Sequence, residues 1–322
     1  MPQPDSAPQS PPDLIGYVLA IGGALFFATK GIFIKLAYFE GTPTETVLAL
    51  RMLVAVPLYL AILGVTLWRT PELIKRLTLR NVLAAAGVGS LGYYAASYLD
   101  FAGLNFVSAQ YERLVLFTYP FFTVGLGIAF FGHTMKKGII PAMLVSWAGL
   151  AVIFGWNLTI RTEGLIEGTL LVLASGLLFA LYQLLAKNVM AWTGTLLFTC
   201  IGMSSAGLIA ISQDAAIHGF GSLGNLSPTI WAYGLALGIV GTILPSFMLN
   251  AAIHRVGARV TSATGTFGPI MTIALAVIVL KEPFTIFHAA GAALVVLGAV
   301  LFSRAERKPV VSAQSATVTP AD

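Results

Sequence analysis

A pattern of glycine, proline and small residues runs twice through this chain, 149 positions apart and without a gap. Gly89, Gly92, Ser97, Ala102, Ala109, Pro120 and Gly149 return as Gly238, Gly241, Ser246, Ala251, Ala258, Pro269 and Gly298. Identity between the copies is otherwise low, so the weight falls on residues that shape backbones. A proline within an apolar helix removes a hydrogen bond and interrupts it, and Pro120 and Pro269 stand at the same place in each copy. Each copy holds an odd number of apolar spans, so the second enters a bilayer from the opposite side to the first. That is an inverted repeat, a transporter architecture.

Of 322 residues, 57% are hydrophobic and 10% charged, with a mean hydropathy of +0.87; this excludes a soluble domain of such length. Crossing a bilayer takes about 20 apolar residues. Ten such segments are predicted, at 15–38, 45–67, 82–103, 108–131, 138–156, 165–190, 194–213, 229–252, 257–280 and 285–303. The fold class expected is therefore all-α integral membrane, with repeats over 15–156 and 165–303. Short connections leave no room for a soluble domain. The polar ends, 1–14 and 304–322, read as disordered, and the first stretch lacks the positive start of a cleavable signal peptide. Cys200, the one cysteine, allows no intrachain disulfide and reads as an apolar packing residue.

A net charge of +5 would point to nucleic acid in a soluble protein, but here the basic residues sit around the spans and no nucleic-acid partner is expected. Arg69, Lys75, Arg76, Arg80, Lys136, Lys137, Lys187, Arg255, Arg259, Arg304, Arg307 and Lys308 fall on one side; Lys35, Arg161 and Lys281 fall on the other. Positive residues favour the cytoplasmic side, which puts both termini in the cytoplasm. The bias follows the repeat: Phe106 and Gln110 in one loop become Arg255 and Arg259 in its counterpart.

The opening span GGALFFATKGIFIKLA, Arg51 in LALRMLVA, and the long stretch LNFVSAQYERLVLFTYPFFTVGLGIAFFG with its partner HRVGARVTSATGTFGPIMTIALAVIVLKEP carry a resemblance to the drug/metabolite transporter superfamily. The chain resembles its EamA-type carriers of ten helices in two inverted five-helix halves over about residues 15–303. The resemblance implies a multi-pass protein of a bacterial-type inner or plasma membrane. It further implies a secondary carrier working by alternating access, with a central cavity lined by spans 1, 3, 4, 6, 8 and 9. Substrates across the superfamily include amino acids, other small metabolites and drugs. One departure is His133 in FFGHT, which stands where Glu282 stands in VLKEP; carriers of this type often have glutamate in both halves.

An ionisable group inside a membrane costs about 2.5 to 3.5 kcal/mol at a helix centre on insertion scales, so each needs a reason. Lys30 lies beyond the middle of span 1, Arg51 about two turns into span 2, Asp100 near the end of span 3, and Glu112 and Arg113 open span 4. All five fall in the outer half. They form either a charged vestibule that takes solute or a structural clasp, Glu112 with Lys30 or Arg51 and Asp100 with Arg113. Glu112 is the first candidate for coupling to protons and Asp100 the second. The first spans of the halves also align at an offset of 152, Phe27 with Phe179, Ala28 with Ala180 and Lys35 with Lys187, which sets Lys30 against Tyr182 and its neighbour Gln183. Lys30 then suits a solute carboxylate or phosphate, and Tyr182 or Gln183 a polar end; alternatively Tyr182 packs apolar surface. Tyr94 and Tyr98 share a face of span 3, as do Glu112 and Tyr119 of span 4. Asn250 and Thr264, with Thr261, Ser262 and Thr266, offer uncharged polar groups opposite.

The reading is a carrier of a small organic solute, anionic, zwitterionic or amphipathic, exporting it while the halves rock about hinges at Pro120 and Pro269, with Gly149 and Gly298 as sliding seams. An intramembrane or lipid-modifying enzyme using the charged cluster is the alternative, but H-E-x-x-H, G-x-S-x-G and P-loop motifs are missing from the sequence. No cofactor and no metal are expected.

Overall fold

The computed structural model describes residues 13–135, 137–160, 163–221, 223–249, 251–252, 255–256 and 267–307. Lys136, Arg161, Asn250, Ala258, Arg259, Thr264 with its polar neighbours, and Lys308 lie outside these. The described residues form helices α1 (Leu14–Phe39), α2 (Thr44–Arg69), α3 (Leu79–Leu104), α4 (Ala109–Phe131), α5 (Ile139–Ile160), α6 (Leu165–Thr193), α7 (Thr195–His218), α8 (Pro228–Leu249), α9 (Gly268–Val279) and α10 (Ile286–Ala305). All but α9 are long and apolar enough to cross a membrane, and of the expected ninth span only the later part is described.

Side chains at the helix starts take up free backbone N–H groups. Ser108 accepts from the Tyr111 N–H at 3.2 Å at the head of α4, and Ser227 from Ile230 at 3.3 Å ahead of Pro228, as expected at N-termini. Asp13 accepts from the Gly16 N–H at 3.1 Å and pairs with Arg255 at 3.2 Å, tying the start of α1 to the segment after α8. The Gly16 N–H, with Arg255 beside it, holds the Asp13 carboxyl below its ordinary value.

The spans are not uniform. Helix α1 breaks at Thr29, whose hydroxyl donates back to the Phe26 carbonyl at 2.6 Å, and restarts at Lys30. Helix α4 divides into Ala109–Leu116 and Tyr119–Phe131, with Pro120 in the first turn of the second piece. Pro269 likewise occupies the first turn of α9. Proline fits a first turn because its missing N–H has no intrahelical partner there. Helices α3 and α8 each contain a wider π-turn, at Leu91–Ala96 and Ile239–Ile243. These turns stand at corresponding positions of the two halves, and π-turns of this kind are concentrated at functional sites.

Packing follows the duplication. Helix α5 packs on α10 and α2 on α7; α3 packs on α6 as α8 does on α1, and α4 on α6 as α9 does on α1. Exchanging the halves maps the first two contacts onto themselves and interchanges the members of the other two pairs. The equivalent helices α5 and α10 run antiparallel, since Gly149 meets Gly291 while Gly298 meets Ala142. A Cβ on Gly149 would lie 2.6 Å from the Gly291 carbonyl oxygen, so this seam closes only with glycine. The repeat glycines Gly89 and Gly238 perform matching tasks, the first against Gly202 of α7 and the second against Val54 of α2. Close backbone approach through small residues is how helices associate where no hydrophobic force acts between them.

Candidate functional site

Lys30, at the restart of α1, donates from Nζ to Asp100 Oδ2 of α3 at 2.6 Å; 12% and 2% of the two side chains are exposed. Glu112, in the first turn of α4, is buried beside Gly31 and next to Asp100. Asp100 Oδ1 and Glu112 Oε1 find no N–H or hydroxyl donor among the described residues, and the two carboxyls are close enough to hydrogen-bond each other when one is protonated. The Phe101 ring lies between two cations, Lys30 Nζ at 5.7 Å and the Arg51 guanidinium carbon at 5.6 Å from its centroid. Arg51 donates from Nη1 to Ser97 Oγ at 3.3 Å, and its Nε has no partner. Arg113 reaches the Phe27 carbonyl at 3.4 Å, just before the break in α1, and covers the Phe27 ring.

The five charged residues singled out in the sequence thus lie on four adjoining helices, with a pairing unlike the clasp drawn from span order. Asp100 takes Lys30 rather than Arg113, and Glu112 lies beside a second carboxyl. The break at Thr29 is the physical reason, because it makes Lys30 the first residue of a new segment aimed at α3.

Tyr182 occupies the corresponding place in the other half. Its hydroxyl donates to the Tyr93 hydroxyl at 2.7 Å, with ring centroids 5.2 Å apart. Gly92, in the π-turn of α3, lies against the Tyr182 ring, where a Cβ would collide. Gly241, in the π-turn of α8, lies against Lys30, where a Cβ would stand 3.5 Å from the Lys30 Cα. The repeat-related glycines therefore meet the repeat-related residues. Tyr119 sets its edge on Phe179 at 5.2 Å and approaches Gln183, which also accepts from Thr123 at 3.5 Å.

Tyr94 and Tyr98 stack at 6.2 Å, as their shared face requires, but their hydroxyls serve a different network. Tyr94 donates to Gln213 at 2.9 Å and Tyr98 to Glu45 at 2.8 Å; His218 stands 3.6 Å from Glu45, and Thr46 donates to the buried Asp214 at 2.6 Å. None of Glu45, Gln213, Asp214 and His218 stands out in the sequence. The acid at 214 closes the expected seventh span at 213, whereas α7 continues to His218 and buries Asp214.

Glu282 joins the α9–α10 connection to α4. Its carboxylate accepts from the Ala109 and Gln110 N–H groups at 2.7 and 3.2 Å, and Gln110 Nε2 donates to the Pro283 carbonyl at 2.8 Å. Burial pushes this carboxyl above its ordinary value, with the two N–H groups acting the other way. His133, its counterpart, folds onto Gly127 of its own helix. Among the described residues no cluster of His, Cys, Asp and Glu is arranged to hold a metal ion.

A chain of apolar spans enclosing a buried ion pair is an integral, multi-pass membrane protein. The model of the EamA-like transporter family matches residues 14–155 and again 166–304, and the chain belongs to that family. It is 29% identical over 290 residues to the uncharacterized transporter YcbK of Bacillus subtilis (strain 168), covering 86% of this chain and 88% of that one. It is 25% identical over 301 residues to the uncharacterized transporter YyaM of the same organism, covering 91% and 95%. An uncharacterized transporter of Synechocystis sp. is 26% identical over 326 residues, covering 92% and 95%. A crystal structure with 17% identity shares the fold at a TM-score of 0.59, over 91% of this chain and 98% of that one. The protein is thus a membrane transporter of the drug/metabolite type.

Proposed function

We propose that this transporter is a secondary carrier that exports a small organic solute bearing an anionic group, an amino acid or a similar anionic, zwitterionic or amphipathic metabolite. The observation that carries the proposal is the buried Lys30–Asp100 pair with the Glu112 carboxyl beside it. Two carboxyl groups sharing one buried site disfavour double ionisation. A solute that competes for either member of the pair changes the charge seen by Glu112, and a proton moving on or off these carboxyls couples solute to proton flow. Tyr119, Tyr182 and Gln183 receive the far end of the solute.

Transport proceeds by alternating access of two inverted repeats, a reading supported by the antiparallel contacts of equivalent helices. Pro120 and Pro269 are the flex points, and both termini are cytoplasmic, in line with the distribution of Lys and Arg. The test is pooled metabolite uptake into proteoliposomes, with and without a pH gradient, repeated with Lys30→Ala. Gradient-dependent accumulation of an anionic or zwitterionic solute, lost in the variant, is the expected result. Folded protein that accumulates no solute under either condition would overturn the carrier reading.

A further inference from the structure

We infer that Arg51, rather than Lys30, anchors the anionic end of the solute, and that the group it takes is a single carboxylate on an apolar body. The inference rests on the carrier reading and names the substrate class for it. Lys30 is already neutralised by Asp100 at 2.6 Å. Arg51 is 7% exposed, and among the described residues its only hydrogen bond is the 3.3 Å contact to the neutral Ser97 hydroxyl. No carboxylate pairs with it there, and its Nε donor is buried without a partner. A guanidinium stays charged under these conditions; Asp100 acts on it electrostatically, but that carboxylate is bonded to Lys30, and a buried charge without a hydrogen-bonded counter-ion is strongly unfavourable. An anion arriving at Arg51 supplies the missing partner.

The chemistry of that anion follows from the surroundings. The planar donor fork of arginine matches a carboxylate in a two-point contact. One carboxylate balances one guanidinium, whereas a phosphate dianion would leave a net negative charge among buried groups. The neighbours are aromatic: Phe101 lies under the guanidinium and is fully buried, and Tyr59 and Tyr93 are close enough to interact with it. These rings suit an apolar body. Arg51 also stands at a junction of the halves, since Gly238 of α8 packs against its backbone while its side chain reaches Ser97 of α3. An anion held there sits beside the contact between the repeats.

The test uses the purified full-length protein in micelles at neutral pH, with phenylacetate as the probe, phenethylamine as its cationic counterpart and phenyl phosphate as the dianion. Phenylacetate is expected to raise the thermal midpoint and to bind by calorimetry, phenyl phosphate to bind more weakly, and phenethylamine to give no shift. Arg51→Gln should abolish phenylacetate binding, and Arg51→Lys, which keeps the charge and most of the volume, should weaken it about tenfold through loss of the fork. Three results would overturn the inference: no binding of phenylacetate to the parent protein, tighter binding of phenyl phosphate, or unchanged binding in Arg51→Lys. Weakened binding in that variant, with no solute uptake by the parent, would keep the site and reject the carrier. Uptake by the parent with unchanged binding in the variant would reject the site and keep the carrier.

Discussion

Lys30 and Tyr182 occupy the same place in the two halves, each laid against the π-turn of the third span of the opposite half, and their surroundings differ in kind. Lys30 meets Asp100 and lies next to Gly241, where a Cβ would make ordinary contact with it; Tyr182 meets the Tyr93 hydroxyl and presses on Gly92. One frame thus presents an ion pair on one side and a pair of phenols on the other. The shared frame sets where the side chains stand, and the residue at each place sets the chemistry.

The largest expected effect tests the charged side. Asp100→Ala leaves the Lys30 ammonium buried without a partner, and removing one member of a buried pair costs about 3 to 5 kcal/mol. Denaturation in micelles should show a loss of that size, and the Lys30→Ala/Asp100→Ala double variant should lose less than the two single variants added together. Simple additivity would mean that the pair is not coupled, which would break the contrast with the phenol side.

Glycine substitutions sharpen the comparison further. Gly92→Ala drives a methyl into the Tyr182 ring, and overpacking of this sort costs about 1 to 3 kcal/mol. Gly241→Ala brings a methyl to 3.5 Å from the Lys30 Cα and 3.3 Å from Leu237, a contact that a small adjustment absorbs. Its expected change is under about 1 kcal/mol. Equal losses at the two positions would show that the halves are packed alike after all. Smaller again is Tyr182→Phe, which removes one hydrogen bond to Tyr93 and is expected to lower stability by about 1 kcal/mol.

Much of this frame was legible in the sequence because backbone-shaping residues carry their own spacing. Gly149 and Gly298, which the spacing marks as seams, lie at the α5–α10 contact, and α4 restarts at Pro120, which the spacing marks as an interruption. The alignment of Lys30 with Tyr182 also rested on spacing alone. The partners within the charged group were not legible, because they depend on how each helix is rotated and on a break at Thr29 that no proline marks. The π-turns left no trace in composition. The Glu45–Tyr98 and Thr46–Asp214 bonds join residues 53 and 168 positions apart, and apolar periodicity holds no information about such pairings.

Glu282 and His133 extend the comparison to the span ends. The second half sends its acid across to the head of α4, where it accepts two backbone N–H groups; the first half has a histidine that turns back on its own helix. Because burial raises the folded-state pKa of Glu282 above the ordinary value of 4.5, folding takes up protons at this site over the window between the two. Its contribution to stability is fully present below about pH 4.5 and is lost as pH rises through the raised value. The thermal midpoint of the parent protein should therefore carry a component that falls with rising pH just above the ordinary glutamate range. Glu282→Gln, which keeps an oxygen for the α4 N-terminus but does not titrate, should lack that component. An unchanged pH profile in the variant would assign the slope to another group and leave Glu282 as a cap alone.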